Sequence, residues 1–343
     1  MHQSRFFHIS PSGELARFTA IEEAPARTRE GGFVWLDFSH PTREELLPLV
    51  DLFALHPLAV EDCLDEKQLP KMEDYPRNTF FVFNTFDFSH HTLSVHELDV
   101  VLGDRFLITV RANAADDQAL LQDLPRILER NIENARQGPA FLLHVLLDQI
   151  VDRKFLAIEA VEEDLDSAEE TILADLARFN PAELLHLRRD LLTLRKTLFH
   201  EREILVKICR KDCPFISDKA VYLYRDIYDH LTKSFELTES CRDIVTSLME
   251  MYLSMLNNHM AKSANETNVT VKRLTFITTV FMPLTFLTGV LGMSEFSMII
   301  GPENWKTGYP IFLAATAIVA VLNYYLLKWL DRPDSSRTGP QAP

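Results

Sequence analysis

The chain has 343 residues, with 35 Lys and Arg against 50 Asp and Glu, so its formal charge is -15. That length allows a sizeable core and more than one domain. The acidic balance argues against nucleic acid as a partner, since phosphate backbones are bound by positive surfaces; it leaves open a solvated surface or an attraction for cations.

No apolar run lies between Met1 and Arg17, so no signal peptide is expected and the N-terminus should stay in the cytoplasm. The first 120 residues read as an α/β domain. Arg5–Ile9, Ala16–Ala20 and Phe33–Phe38 have strand character, as do Thr79–Asp87, Val95–Leu102 and Phe106–Val110, all rich in β-branched and aromatic residues. Pro41 to Phe53 reads as a helix capped by Thr42, with Glu44 and Glu45 in its first turn. The turn holding Ser89, His90 and His91, with His96 beyond it, is either an exposed polar turn or a zinc site.

No glycine occurs between Gly138 and Gly289, which predicts long helices punctuated by Pro181 and Pro214. Ile158, Val161, Leu165, Ala168 and Ile172 step by three and four, the spacing of one apolar helical stripe. The same window, 159–175, holds eight acids and no base, a face that is either solvated or concentrates cations. The four cysteines, Cys63, Cys209, Cys213 and Cys241, fit a reducing compartment better than a disulfide framework. Cys209 and Cys213 are four apart, which would place them on one helical face, with no His or Cys partner nearby.

From Ile216 no proline interrupts until Pro283, so a helix of about 65 residues, about 100 Å long, should run towards the C-terminus as a stalk. It feeds the first of two uncharged stretches, Leu274 to Ser294; the second is Thr307 to Leu327, and each has 21 residues. About 20 apolar residues span the hydrocarbon core of a bilayer as a helix. Lys272 and Arg273 precede the first stretch, Lys328 and Arg332 follow the second, and the connecting loop from Glu295 to Gly308 has two Glu and one Lys. Basic outer flanks put both termini in the cytoplasm. Two helices enclose no lumen, so a conducting assembly needs several copies. The expected division is 1–120 an N-terminal domain, 121–215 acidic helices, 216–294 stalk and first span, 295–308 an outer loop, 309–330 the second span, and 331–343 a tail.

Several local patterns then converge. Phe281-Met282-Pro283-Leu284-Thr285-Phe286-Leu287-Thr288-Gly289-Val290-Leu291-Gly292-Met293 resembles the first span of the CorA family of divalent-cation channels, and Trp305-Lys306-Thr307-Gly308-Tyr309-Pro310 is similar to the start of its second span. Asn265-Glu266-Thr267-Asn268, Lys272-Arg273-Leu274-Thr275 and Tyr224-Arg225-Asp226-Ile227-Tyr228-Asp229-His230 resemble its stalk; His56-Pro57-Leu58-Ala59-Val60-Glu61-Asp62 and Pro70-Lys71 resemble its N-terminal domain. The resemblance covers about residues 33 to 330, in order. It implies an α+β cytosolic domain with an all-α stalk and two transmembrane helices, a CorA-like funnel assembled as a homopentamer in the cell (inner) membrane. The partners expected are further copies of the chain, membrane lipid and divalent cations, with no nucleic acid.

One position departs from the family. Its outer-mouth signature is Gly-Met-Asn; here it is Gly292-Met293-Ser294, followed by Glu295. A Ser hydroxyl is shorter than an Asn amide, so a ring of them would be wider and hold hydrated Mg²⁺ less firmly; Mg²⁺ gives up water reluctantly. Glu295 either adds charge to that mouth or is an interfacial loop carboxylate. On the helix that runs from the stalk into the first span, Asn268, Val271, Thr275, Thr278, Met282, Thr285 and Gly289 step by three or four and, with the resemblance, read as pore-lining. The competing reading is that the threonines bond back to their own helix or across to a neighbour. Oxygen ligands suit hard cations, and no Cys or His lies in the span. The resemblance further implies a cytosolic divalent sensor, with Glu61 and Asp62 of one protomer opposite Asp226 of the next.

The sequence therefore supports a channel or transporter for a divalent metal cation, Mg²⁺ or Zn²⁺, with the ion as cargo and regulator and no other cofactor. The alternative is a membrane-anchored ion-sensing or scaffolding protein that has lost transport with the signature Asn. No Gly-rich phosphate loop, zincin pattern or nucleophile elbow points to an enzyme.

Overall fold

The computed structural model describes residues 4–65, 68–111, 132–291, 301 and 304–330. The chain forms two compact units, Met1–Leu253 and Ser254–Pro343.

The first unit is built on a seven-stranded sheet in the order β2-β1-β3-β7-β6-β5-β4. Its strands are β1 Arg5–Ile9, β2 Leu15–Phe18, β3 Phe33–Ser39, β4 Lys71–Tyr75, β5 Asn78–Ser89, β6 Thr92–Gly103 and β7 Phe106–Arg111. All neighbours are antiparallel except β3 and β7, which run parallel in the middle of the sheet. Six of these strands lie where β-branched and aromatic density predicts them. β4 was not expected: Lys-Met-Glu-Asp-Tyr has little strand propensity, and pairing along β5 draws it in at the sheet edge.

β5 is buried along Asn78–Phe86, on both faces. Phe80 and Val82 enter a core that also holds Leu36, Phe38, Leu46, Leu49, Val60 and Ile108. That face is covered by short helices: α1 Ala24–Arg29, α2 Arg43–Leu46, α3 Pro48–Phe53 and α4 Pro57–Asp62. Thr42 caps α2 as expected, in a capping box with Glu45. The single helix expected over 41–53 is two, because Pro48 has no N–H to continue the ladder and instead opens α3.

The other face meets α6 Pro139–Ala174, which follows a short α5 at Ile132–Ala135 and packs against β5, β6 and β7. Ile158, Val161, Leu165, Ala168 and Ile172 are all buried, as their spacing predicts. α7, Pro181–Cys209, is capped by Asn180, whose side chain accepts the Ala182 N–H at 3.1 Å. A buried ion pair joins the layers: Lys154 on α6 donates to Glu201 on α7, and Glu201 also accepts the backbone N–H of Asn84 on β5 at 3.0 Å. The placing of Cys209 and Cys213 on one helical face is corrected here. α7 ends at Cys209, and Cys213 lies in the following turn, 3.5 Å from the Thr79 hydroxyl. Pro214 disfavours helical geometry at the residue before it.

α8 runs unbroken over Asp218–Leu291, 74 residues, and so belongs to both units. Within the first unit Tyr224, Ile227, Leu231, Thr238, Cys241, Val245 and Leu248 are buried, a three-and-four rhythm against the helical layer. The Tyr224 hydroxyl donates to the Ala140 carbonyl at 2.6 Å. In the second unit every residue of α8 from Asn257 to Thr275 is exposed. α9, Trp305–Leu330, completes that unit. Both α8 and α9 contain windows apolar enough to cross a membrane.

Candidate functional site

The second unit places the predicted lining residues on one side. Where α8 meets α9, the half-buried residues of α8 are Phe276, Thr279, Val280, Pro283, Leu284 and Leu287. Their counterparts on α9 are Phe312, Thr316, Val319, Ala320, Asn323 and Leu327. Both sets step by three and four, the signature of two helices packed along single stripes. Asn268, Val271, Thr275, Thr278, Met282, Thr285 and Gly289 are all exposed instead. At 100° per residue their stripe is centred about 140° around the helix from the contact with α9. Met282 is 71% exposed and Val271 54%.

Each threonine of the span bonds back to its own helix. The hydroxyls of Thr275, Thr278 and Thr279 donate at 2.8 Å to the carbonyls of Val271, Leu274 and Thr275. Thr285 donates to Phe281, and Thr288 to Leu284 at 2.9 Å. The back-bonding reading therefore holds, and it does not compete with lining. A hydroxyl whose hydrogen is committed to the backbone presents only lone pairs outward. Thr275, Thr278 and Thr285 thus offer acceptor oxygens on the exposed stripe, a surface suited to a hydrated cation.

One polar residue of the hairpin escaped the sequence reading. Asn323 on α9 donates its amide to the Thr279 carbonyl at 3.0 Å. Its signal was there to read: it is the one amide side chain in the uncharged stretch Thr307 to Leu327. Beside it Tyr324 meets Phe276 edge-on, with ring centroids 5.9 Å apart.

Gly292, Met293, Ser294 and Glu295, expected at an outer mouth, lie outside the described residues. The three carboxylates expected to form a sensor are described. Glu61, next to last in α4, is exposed, and Asp226 on α8 is exposed, 3.8 Å from the His230 ring. Asp62 differs. Its carboxylate already pairs with Lys71 at 2.6 Å, and Lys71 also reaches Glu73 at 3.1 Å. The Lys71 ammonium has its pKa raised by those two carboxylates, against a desolvation that lowers it. Any ion at Asp62 must compete with this in-chain cation. Behind the pair lies Asp99 on β6, whose carboxyl is pushed well up by burial, with Glu97 and Asp62 adding to the shift.

Among the described residues no three His, Cys, Asp or Glu side chains are grouped to hold a metal ion. One chain alone does not gather Glu61, Asp62 and Asp226. The zinc reading of the histidine turn is corrected: His90 and His91 sit at positive φ in the β5–β6 turn, and His91 pairs through Nδ1 with Asp164 at 2.7 Å. His91 borders a cleft of 390 Å³ with Asp164, Glu183, His186 and Asp190, too widely spread to converge on one ion.

Comparison with known proteins identifies the family and the fold. The model of a family described as "CorA-like Mg2+ transporter protein" matches residues 30–329. The cobalt/magnesium transport protein CorA of Thermotoga maritima is 32% identical over 303 residues, covering 86% of this chain and 83% of that protein. The putative metal ion transporter YfjQ of Bacillus subtilis is 32% identical over 296 residues, covering 86% of this chain and 87% of that protein. The solved CorA magnesium transporter of Methanocaldococcus jannaschii superposes with a TM-score of 0.73 at 21% identity, over 99% of each chain.

Proposed function

The chain belongs to the CorA-like Mg2+ transporter family, and from that premise we propose that it carries divalent cations across the cell (inner) membrane as a homopentamer. The observation that carries this reading is the exposed stripe from Asn268 to Gly289, turned away from α9. The back-bonded threonine hydroxyls still turn lone pairs outward on this face, which lipid tails cannot serve and water or a neighbouring helix can. Copies of α8 arranged around an axis would supply both, with the stripe facing a lumen. Thr275, Thr278 and Thr285 would hand hydrated ions along through their free lone pairs. Val271 and Met282 would form apolar rings that close the path by dewetting. Gly289 would let the helices approach near the outer end.

Gly292, Met293, Ser294 and Glu295 form the outer mouth in this reading, and Ser294 sets a looser grip on hydrated Mg²⁺ than an amide would. Both termini lie in the cytoplasm. Glu61 and Asp62 of one protomer face Asp226 of the next, and an ion between them bridges carboxylates that otherwise repel. α8 carries the change to the rings, because it is one continuous helix from Asp226 to Met282.

The test is flux into proteoliposomes for Mg²⁺, Co²⁺ and Zn²⁺, with and without a pH gradient. Uptake of at least one divalent ion by protein that elutes as an oligomer is expected. A monomer, or the absence of flux for all three ions, would overturn the proposal. Ser294→Asn should move the preference towards Mg²⁺; an unchanged preference and affinity would remove Ser294 from the selective ring.

A further inference from the structure

Pro283 lies inside α8 and has no N–H, so the carbonyl four residues earlier, that of Thr279, loses its helical donor. In a membrane such a carbonyl has no water to turn to, and leaving it open is costly. Asn323 of α9 supplies the missing donor, its amide 3.0 Å from that oxygen. The match is specific in position. Of the carbonyls in the first span, the one that proline frees is the one the amide of the second span reaches.

The neighbouring contacts fix the same level of the hairpin. Phe276, one turn before Thr279, meets Tyr324, the residue after Asn323, edge-on at 88°. The Thr279 hydroxyl is committed to Thr275 and cannot serve its own carbonyl. Met282 precedes the proline and Thr285 follows it by two, so the stripe's central residues sit on the turn whose backbone bond is missing. A helix lacking one ladder bond bends there unless something else holds it.

We propose that Asn323 is a positioning residue for ion conduction: its amide closes the backbone gap at Pro283 and so fixes the direction in which Met282 and Thr285 face. The inference rests on the transport reading above, and it adds a residue of the second span to a path lined by the first.

The experiment is a double-mutant cycle on the full-length protein. Asn323→Leu removes the amide at similar volume. Pro283→Ala restores an N–H that can bond the Thr279 carbonyl within the helix, so the amide becomes dispensable. Melting temperature in detergent and Mg²⁺ flux in proteoliposomes are read for all four proteins, with oligomer mass as a control. Asn323→Leu alone should lower the flux about threefold, the typical worth of one hydrogen bond between membrane helices, and lower the melting temperature by roughly 2 °C. In the Pro283→Ala background both effects should largely vanish. Equal effects of Asn323→Leu in both backgrounds would overturn the inference. So would coupling in melting with flux unaltered at every corner, which leaves Asn323 a role in the fold and none in conduction. A wild-type protein without flux for any divalent ion is a different failure, that of the transport reading, and the melting cycle still judges the bond.

Discussion

At the scale of single residues, the buried charges decide how the first unit responds to change. Lys154 and Glu201 are both within 1% of complete burial, and burial pulls the Lys154 pKa down while Glu201 holds it up. Removing one member strands the other, at a cost of roughly 3–5 kcal/mol. Glu201→Ala should lower the melting temperature more than Lys154→Met, because Glu201 also serves the Asn84 N–H; the reverse order would mean that the amide bond adds nothing. Asp99 predicts the opposite sign. Its folded pKa lies above its unfolded value, so its contribution is intact below pH 3.8 and is lost as pH rises through the folded value. At pH 7 the carboxyl is a liability. Asp99→Asn should therefore raise stability at pH 7 and leave it unchanged near pH 3.5, measured as melting temperature against pH. The residues proposed as a sensor are governed by charge competition. Lys71→Met releases Asp62, so inhibition by internal divalent ion should set in at a concentration lower by up to about fivefold, the reach of a half-exposed pair. Asp226→Ala should shift the same curve upward. Superimposable curves for both variants would make these carboxylates structural.

At the scale of elements, the long helices and most strands were legible because their signals are local. The stripe from Ile158 to Ile172 and the aromatic density of Phe80–Phe83 need no partner to be recognised. What was hidden depends on neighbours. β4 is a strand because β5 lies beside it; the Asp62–Lys71 pair joins residues nine apart across a turn; the bond from Asn323 to Thr279 spans 44 positions. The stripe proposed to line a pore was legible as a period, but its orientation was not. A wheel gives the angle between faces, and only the packing of Phe276, Val280, Pro283 and Leu287 on α9 says which face is left over. The threonines on that face carry a prediction. Thr285→Val keeps side-chain volume and removes the oxygen with its bond to the Phe281 carbonyl, and the backbone N–H ladder of the helix stays intact. Flux should fall while the melting temperature holds; an equal loss in both would assign Thr285 to helix stability alone.

At the scale of the whole molecule, the central claim is that ions pass along the exposed stripe of α8 when copies surround an axis. Among the described residues the two packed spans leave that stripe exposed, whereas the stripe against α9 is already covered. The two faces make opposite predictions for a reagent that enters only through water. The direct measurement is divalent-ion flux through single-cysteine variants of the first span, before and after a membrane-impermeant thiol reagent, in protein with Cys63, Cys209, Cys213 and Cys241 replaced. Block is expected at Thr275→Cys, Thr278→Cys, Met282→Cys and Thr285→Cys, and silence at Phe276→Cys, Val280→Cys, Leu284→Cys and Leu287→Cys. Block on the second set with silence on the first, or block without a helical period, would contradict conduction along this face.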